Sequence, residues 1–167
     1  IAGQIDRDNI GIIGYSQGGA GALGAAEKYE NSRLYKAIFT GSAAYPLLAA
    51  SMGWEYDSSK ISIPYFMTAA TGTSDDLGVA DINAEFGGVA PLASLAEIYN
   101  SMTDDVLKVR ARVTGAEHGE MQVRTDGCMT AWMLYHLQGD QEAGKVFLGE
   151  NAEILGNSNW QDIEKNH

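Results

Sequence analysis

Cysteine is nearly absent from this chain. The one copy, Cys128, rules out an internal disulfide and any metal site built from cysteines. A single thiol leaves the redox compartment open, and its helical apolar pattern with Ala131, Trp132 and Tyr135 assigns it to packing. Basic runs are lacking as well. Eleven Lys and Arg stand against 22 Asp and Glu, a formal charge of -11, which argues against nucleic acid as a partner. The one cluster of cations, Lys108, Arg110 and Arg112, alternates with Leu107, Val109, Ala111 and Val113, the pattern of a solvated or partly covered strand face. No apolar stretch is long enough to span a bilayer. There is no internal repeat and no low-complexity segment. No initiator Met or signal sequence precedes Ile1, which predicts a segment removed upstream and leaves secreted and cytoplasmic residence both open.

The 167 residues, 45% of them apolar, suffice for one domain with a core. Residues 10–14 read as a buried strand, followed by a sharp turn and a small-residue helix to about residue 30. Further strands are expected at 37–41, at 62–70 with Pro64 at its entry, and at 106–113. Residues 42–54, broken by Pro46 and Gly53, read as loops with a short helix. Residues 71–88 form a long acidic loop holding Asp75, Asp76, Asp81 and Glu85. A helix is predicted from Pro91 to about residue 102, with Leu92, Leu95, Ala96 and Tyr99 on one face. An amphipathic helix follows at 122–137. The last thirty residues read as polar and irregular, with Trp160 as a docking anchor.

Strands that alternate with helices predict an α/β fold with a mostly parallel sheet flanked by helices. Four strands make half of a usual doubly wound sheet. The first is apolar throughout, as expected of a strand with a neighbour on each side, and an exposed edge of that composition invites aggregation. The expectation is therefore the C-terminal portion of a larger domain, a fragment with upstream strands missing.

The most informative stretch is Gly14-Tyr15-Ser16-Gln17-Gly18, a G-x-S-x-G between an apolar strand and the helix opened by Gly19-Ala20-Gly21-Ala22. In so glycine-rich a chain the pentapeptide arises by chance roughly once in seven, so the context carries the weight. A nucleophile elbow needs that context, because the turn is strained and small residues let strand and helix approach. Ser16 would then project from the strand end, and the Gln17 N–H would face a developing oxyanion. The bland alternative is a glycine-rich turn in which Ser16 merely caps a helix.

A serine hydroxyl needs a base to take its proton, and the base needs an acid to orient it. In α/β-hydrolases the chain order is Ser, then Asp or Glu, then His. Ser16, the acids after the third strand and His118 after the fourth follow that order, all at the C-terminal strand ends where such sites lie. His118, in the loop 115–119, is the preferred base over His136 inside a helix and His167 at the terminus. Asp75 is preferred over Asp76 as the acid, with Asp81 and Glu85 read as solvated charges. A calcium site at Asp75 and Asp76 lacks a ligand-spaced loop. No metal or other cofactor is called for.

These residues bring the chain close to a known group. The elbow from Gly14 to Gly19, Val89-Ala90-Pro91-Leu92, Glu117-His118-Gly119, and Ala131-Trp132-Met133 running into Gln138-Gly139-Asp140 resemble the C-terminal half of bacterial α/β-hydrolases. The group is the cutinase-like, polyester-hydrolase and lipase one, near the dienelactone-hydrolase branch. The resemblance implies an α/β-hydrolase fold and ester hydrolysis through an acyl-enzyme. In it Ser16 is the nucleophile, His118 the base, Asp75 the orienting acid and Gln17 N–H one oxyanion donor. It also implies a second oxyanion donor from an early loop that this chain lacks, and an aromatic residue beside the acyl pocket, for which Trp54 or Tyr45 could stand. Tyr15 is a further candidate substrate contact.

Residues 77–88 look like an insertion relative to that group, and the C-terminal disulfide of many secreted relatives cannot form. The expected substrate is a lipid, short acyl or polymeric ester. A thioesterase, acyltransferase or peptidase, or a non-catalytic binding module, remains as an alternative on the same fold. Nothing indicates an oligomeric state.

Overall fold

The structure, a computed structural model, describes residues 2–28, 30–77 and 87–167. Four segments become parallel strands in chain order: β1 (Ile10–Tyr15), β2 (Tyr35–Gly41), β3 (Tyr65–Ala70) and β4 (Lys108–Val113). Each crossover carries helix. The first holds α1 (Gln17–Lys28) and a 3-10 segment, Glu30–Leu34. The second holds α2 (Pro46–Ser51), and the third holds α3 (Thr73–Asp76) and α4 (Leu92–Ser101). Parallel strands demand such connections, because the chain must return to the starting edge of the sheet. Pro91 sits at the N-cap of α4, where its missing N–H leaves no bond unmade.

The strand order is β1-β2-β3-β4-β5. β2, β3 and β4 lie inside the sheet and are buried almost throughout. Among the described residues β1 pairs with β2 alone, and Ile13 on it is exposed. Two main cores result, one on each face, beside a small cluster of Ala69, Ala90 and Leu95. Phe66 centres the first, with Phe39, Trp132, Phe147 and Trp160 around it at ring separations of 5.1–5.7 Å. Leu23, Ile38, Tyr65, Met67 and Ile98 form the second, beneath α1 and α4.

Three sequence expectations are corrected. The last thirty residues are ordered: α7 (Gln141–Gly144) and α8 (Glu153–Gly156) lead into β5 (Trp160–Lys165), which pairs antiparallel with β4. Trp160 does anchor this segment, buried against Phe66. A strand reading Trp-Gln-Asp-Ile-Glu-Lys hides from a period-2 search because its polar side chains are spent on partners. Those partners are the clustered cations.

Lys108, Arg110 and Arg112 are not on a solvated face; all three are buried. Lys108 Nζ donates to the Tyr99 and Met102 carbonyls, both at 2.9 Å, and pairs with Asp104 at the C-terminal end of α4. Arg110 binds Glu164 and the Asp162 carbonyl, and Arg112 binds Asp76 and Asp162.

The helix expected at 122–137 is two, α5 (Met121–Arg124) and α6 (Asp126–Gln138), and α6 is not one-sided. Only Trp132 is fully covered, while Met129, Ala131, Met133 and Tyr135 are half-buried on its flanks. Trp132 Nε1 and His136 Nε2 are buried there without a partner, and burial pushes His136 down to about 4. Cys128 is half-buried in the same packing, and desolvation holds its thiol above the ordinary range, which suits packing better than reactivity.

Candidate active site

Four strand ends converge at the C-terminal edge of the sheet. At the end of β1 the chain turns through Ser16 at φ +53°, a left-handed conformation rare for a residue with a Cβ. The surroundings hold it there. Ser16 N–H donates to the Gly41 carbonyl at 2.9 Å, and the Ser16 carbonyl accepts from Gly19 and Ala20 as α1 begins. A Cβ on Gly14 would lie 2.6 Å from the Gly18 carbonyl carbon, and one on Gly19 would lie 2.6 Å from the Ala43 Cβ. Close approach therefore explains the small residues flanking the turn, except at Gly18, where an added Cβ meets open space. Among the described residues the Gln17 and Gly18 N–H groups have no acceptor, as expected of the first turn of a helix.

Ser16 Oγ lies 3.0 Å from His118 Nε2, and His118 Nδ1 lies 2.6 Å from Asp75 Oδ1. The imidazole is fixed from several sides. His118 opens a 3-10 segment, His118–Glu120, whose reciprocal Glu117–Glu120 capping contacts hold the turn. The Tyr15 hydroxyl donates to the His118 carbonyl, and the two rings lie 5.0 Å apart. Burial first, and the Asp75 charge second, hold the Tyr15 phenol above its ordinary range.

Asp75 is fully buried on α3. Its second oxygen, Oδ2, accepts from Ser42 Oγ at 2.5 Å and from the Ala70 N–H at 2.8 Å. With Nδ1–H donated to this carboxylate, Nε2 is left as the acceptor facing Ser16. Gly88 at φ +77° returns the chain against the Asp75 backbone. Val89 N–H then donates to the Ser74 carbonyl and Ala90 N–H to the Asp75 carbonyl. Asp81 and Glu85 lie outside the described residues.

The structure thus brings Ser16, His118, Asp75 and the Gln17 N–H to one place. Asp76 turns elsewhere, to Arg112. Both carboxylates are engaged by protein groups, and among the described residues no cluster of three or more His, Cys, Asp or Glu could hold a metal. Tyr15 borders a largely apolar cleft of about 180 Å³ together with Phe39, Gly41, Met121 and Met129. Trp54 lies apart from that cleft, in a second groove with Ala20, Gly24 and Lys28 of α1. Tyr45 precedes α2, its N–H bonded to the Val89 carbonyl.

Sequence reasoning missed Ser42. It follows β2 directly, is fully buried and is held at φ +48°. The signal was its place at the C-terminal end of a strand, where polar residues meet the site.

The fold that these elements define is an α/β one, a mostly parallel five-stranded sheet flanked by helices. No protein-family model and no curated protein matches the chain. Solved structures do. One is a puromycin-hydrolyzing peptidase from Mycobacterium tuberculosis, similar at a TM-score of 0.59 and 14% identity over 81% of this chain. The chain spans 23% of the length of that structure. No helix among the described residues is long and apolar enough to cross a membrane.

Proposed function

We propose that the protein is a serine hydrolase that cleaves carboxylic esters through an acyl-enzyme. The observation that carries the reading is the unbroken hydrogen-bond chain from Ser16 Oγ through His118 to the buried Asp75. His118 Nε2 takes the Ser16 proton as Oγ bonds to the acyl carbon. Asp75 holds the ring in the required tautomer and stabilises the imidazolium that forms. The carbonyl oxygen gains charge and is met by the Gln17 N–H. Collapse of this intermediate expels the alkoxide, which takes the proton from His118. Water, deprotonated by the same ring, then releases the acid and restores Ser16.

An ester of a lipid, a short acyl chain or a polyester fits the apolar cleft beside Tyr15 and the resemblance to the cutinase-like group. Trp54 is proposed as a more distant substrate contact, outside that cleft. Amide and thioester cleavage use the same three groups on this fold, so the leaving group is for assay to decide.

Fluorophosphonate labelling tests the reading, with the modified peptide located by mass spectrometry. The expected result is a label on Ser16 that His118→Ala abolishes, together with turnover of p-nitrophenyl esters that Ser16→Ala removes. A folded protein that takes no label at Ser16 would overturn the reading in favour of a binding module.

A further inference from the structure

Arg112 is the largest fully buried charged side chain among the described residues, and no step above uses it. It sits on β4 opposite Ala69, so its guanidinium lies beside the strand end that feeds the acid turn. One nitrogen, Nε, pairs with Asp162 Oδ2 at 2.8 Å; a second, Nη1, pairs with Asp76 Oδ2; the third, Nη2, is buried without a partner. The Arg112 side chain is fully buried and that of Asp76 is 2% exposed.

Such a pair is weak support for stability, because desolvating the charges offsets most of their attraction. Its arrangement is nonetheless constructed at local cost. Asp162 is held at φ +54°, and the β4–β5 register slips between Arg110 and Arg112. That irregularity in β5 brings the Asp162 carboxylate onto Arg112.

The element gripped at the other end is α3, a single turn of four residues. One turn has no stability of its own, since a helix this short has barely passed nucleation. Asp75 belongs to that turn, and its carboxylate must meet both His118 and Ser42. Its neighbour Asp76 is tied to Arg112. We propose that Arg112, clamped from behind by Asp162 and holding Asp76, is a positioning residue that fixes the aim of Asp75 at His118.

The proposal rests on the reading of Ser16, His118 and Asp75 given above. It adds that β5, which runs antiparallel to β4, serves the site through a relay of two ion pairs. Arg suits the task because its planar fork serves two carboxylates at once, which a lysine ammonium does at poorer geometry.

The test uses Asp76→Asn, with Arg112→Lys as a second variant that keeps a buried cation should the first fail to fold. Thermal melts establish folding for both. Two readouts follow: the fluorophosphonate labelling rate of Ser16, and the far-downfield proton resonance of the His118–Asp75 hydrogen bond. Asp76→Asn is expected to slow labelling roughly tenfold to a hundredfold, as a misplacement of about 1 Å at a catalytic group does. The downfield resonance should broaden or shift, and Arg112→Lys should fall between parent and Asp76→Asn. In an Asp75→Asn background the same change should have no further effect, because the aim it protects is already lost.

Folded variants that label at the parent rate with an unchanged resonance would overturn the proposal. So would an Asp76→Asn effect that persists undiminished beside Asp75→Asn. If the parent itself takes no label, the hydrolase reading falls, and the resonance alone decides. Its loss in Asp76→Asn then supports the positioning role, and its persistence refutes it.

Discussion

Ser42→Ala removes one hydroxyl from a carboxylate that has no access to water. Asp75 is fully buried, and Ser42 Oγ is one of three donors that meet it, with the Ala70 N–H and His118 Nδ1. A hydrogen bond to a charged group is worth about 1.5–3 kcal/mol, and a buried acceptor cannot recover it from solvent. We expect Ser42→Ala to lose about 2 kcal/mol, roughly 6 °C in Tm for a chain of this length. Ser42 also carries backbone strain at φ +48°, which Ala inherits and Gly relieves. Ser42→Gly loses the same bond, yet should be about 1 kcal/mol more stable than Ser42→Ala. Guanidinium unfolding followed by tryptophan fluorescence measures both, since Trp132 and Trp160 are buried in the core. The reasoning is refuted if Ser42→Ala lies within about 0.5 kcal/mol of the parent, or if Ser42→Gly is the less stable of the two.

The two glycines of the elbow should differ. Gly14→Ala places a Cβ 2.7 Å from the Gly19 Cα and is expected to cost about 3 kcal/mol, while Gly18→Ala meets nothing within 4 Å and should be near neutral in the same unfolding assay. Ser16→Gly and Ser16→Ala should both abolish labelling, yet Ser16→Gly should be about 1 kcal/mol the more stable, because it relaxes the strain at φ +53°. Equal stabilities would show that the turn is unstrained. Burial lowers His136 to about 4 from its ordinary 6.5, so between those values the unfolded chain binds more protons and stability falls as pH falls. With the ring partly open to solvent, we expect a loss of about 2 kcal/mol across that window, absent in His136→Leu. Denaturant midpoints at matched pH values check this, and equal slopes for the two proteins would contradict it.

Much of the parallel sheet is legible in the sequence. Ile10–Tyr15, whose expected burial is only partial because it lies at the sheet edge, carries an apolar run that ends in turn residues, as do Tyr35–Gly41 and Tyr65–Ala70. Lys108–Val113 alternates apolar residues with cations, and all these cues are local. The elbow is legible for the same reason, since a turn that tight admits only small neighbours within a few residues of it. The order Ser16, Asp75, His118 can also be read along the chain, together with its place at the strand ends.

β5 is not legible, because Gln161, Asp162 and Glu164 look like solvated residues until Arg110 and Arg112 are set opposite them. The three buried cations mislead for the complementary reason: a charge enters the interior only with a partner, and the partners of the two arginines on β5 lie fifty residues away. Neither Ser42 beneath Asp75 nor the division of labour between Asp75 and Asp76 can be read from adjacent, identical side chains. Which carboxylate faces His118 and which faces Arg112 depends on the direction in which one helical turn presents each residue. Composition and local periodicity therefore determined the strands, the elbow and the candidate groups. Tertiary structure alone decided their partners, because hydrogen bonds and ion pairs between distant segments exist only once the sheet has brought them together.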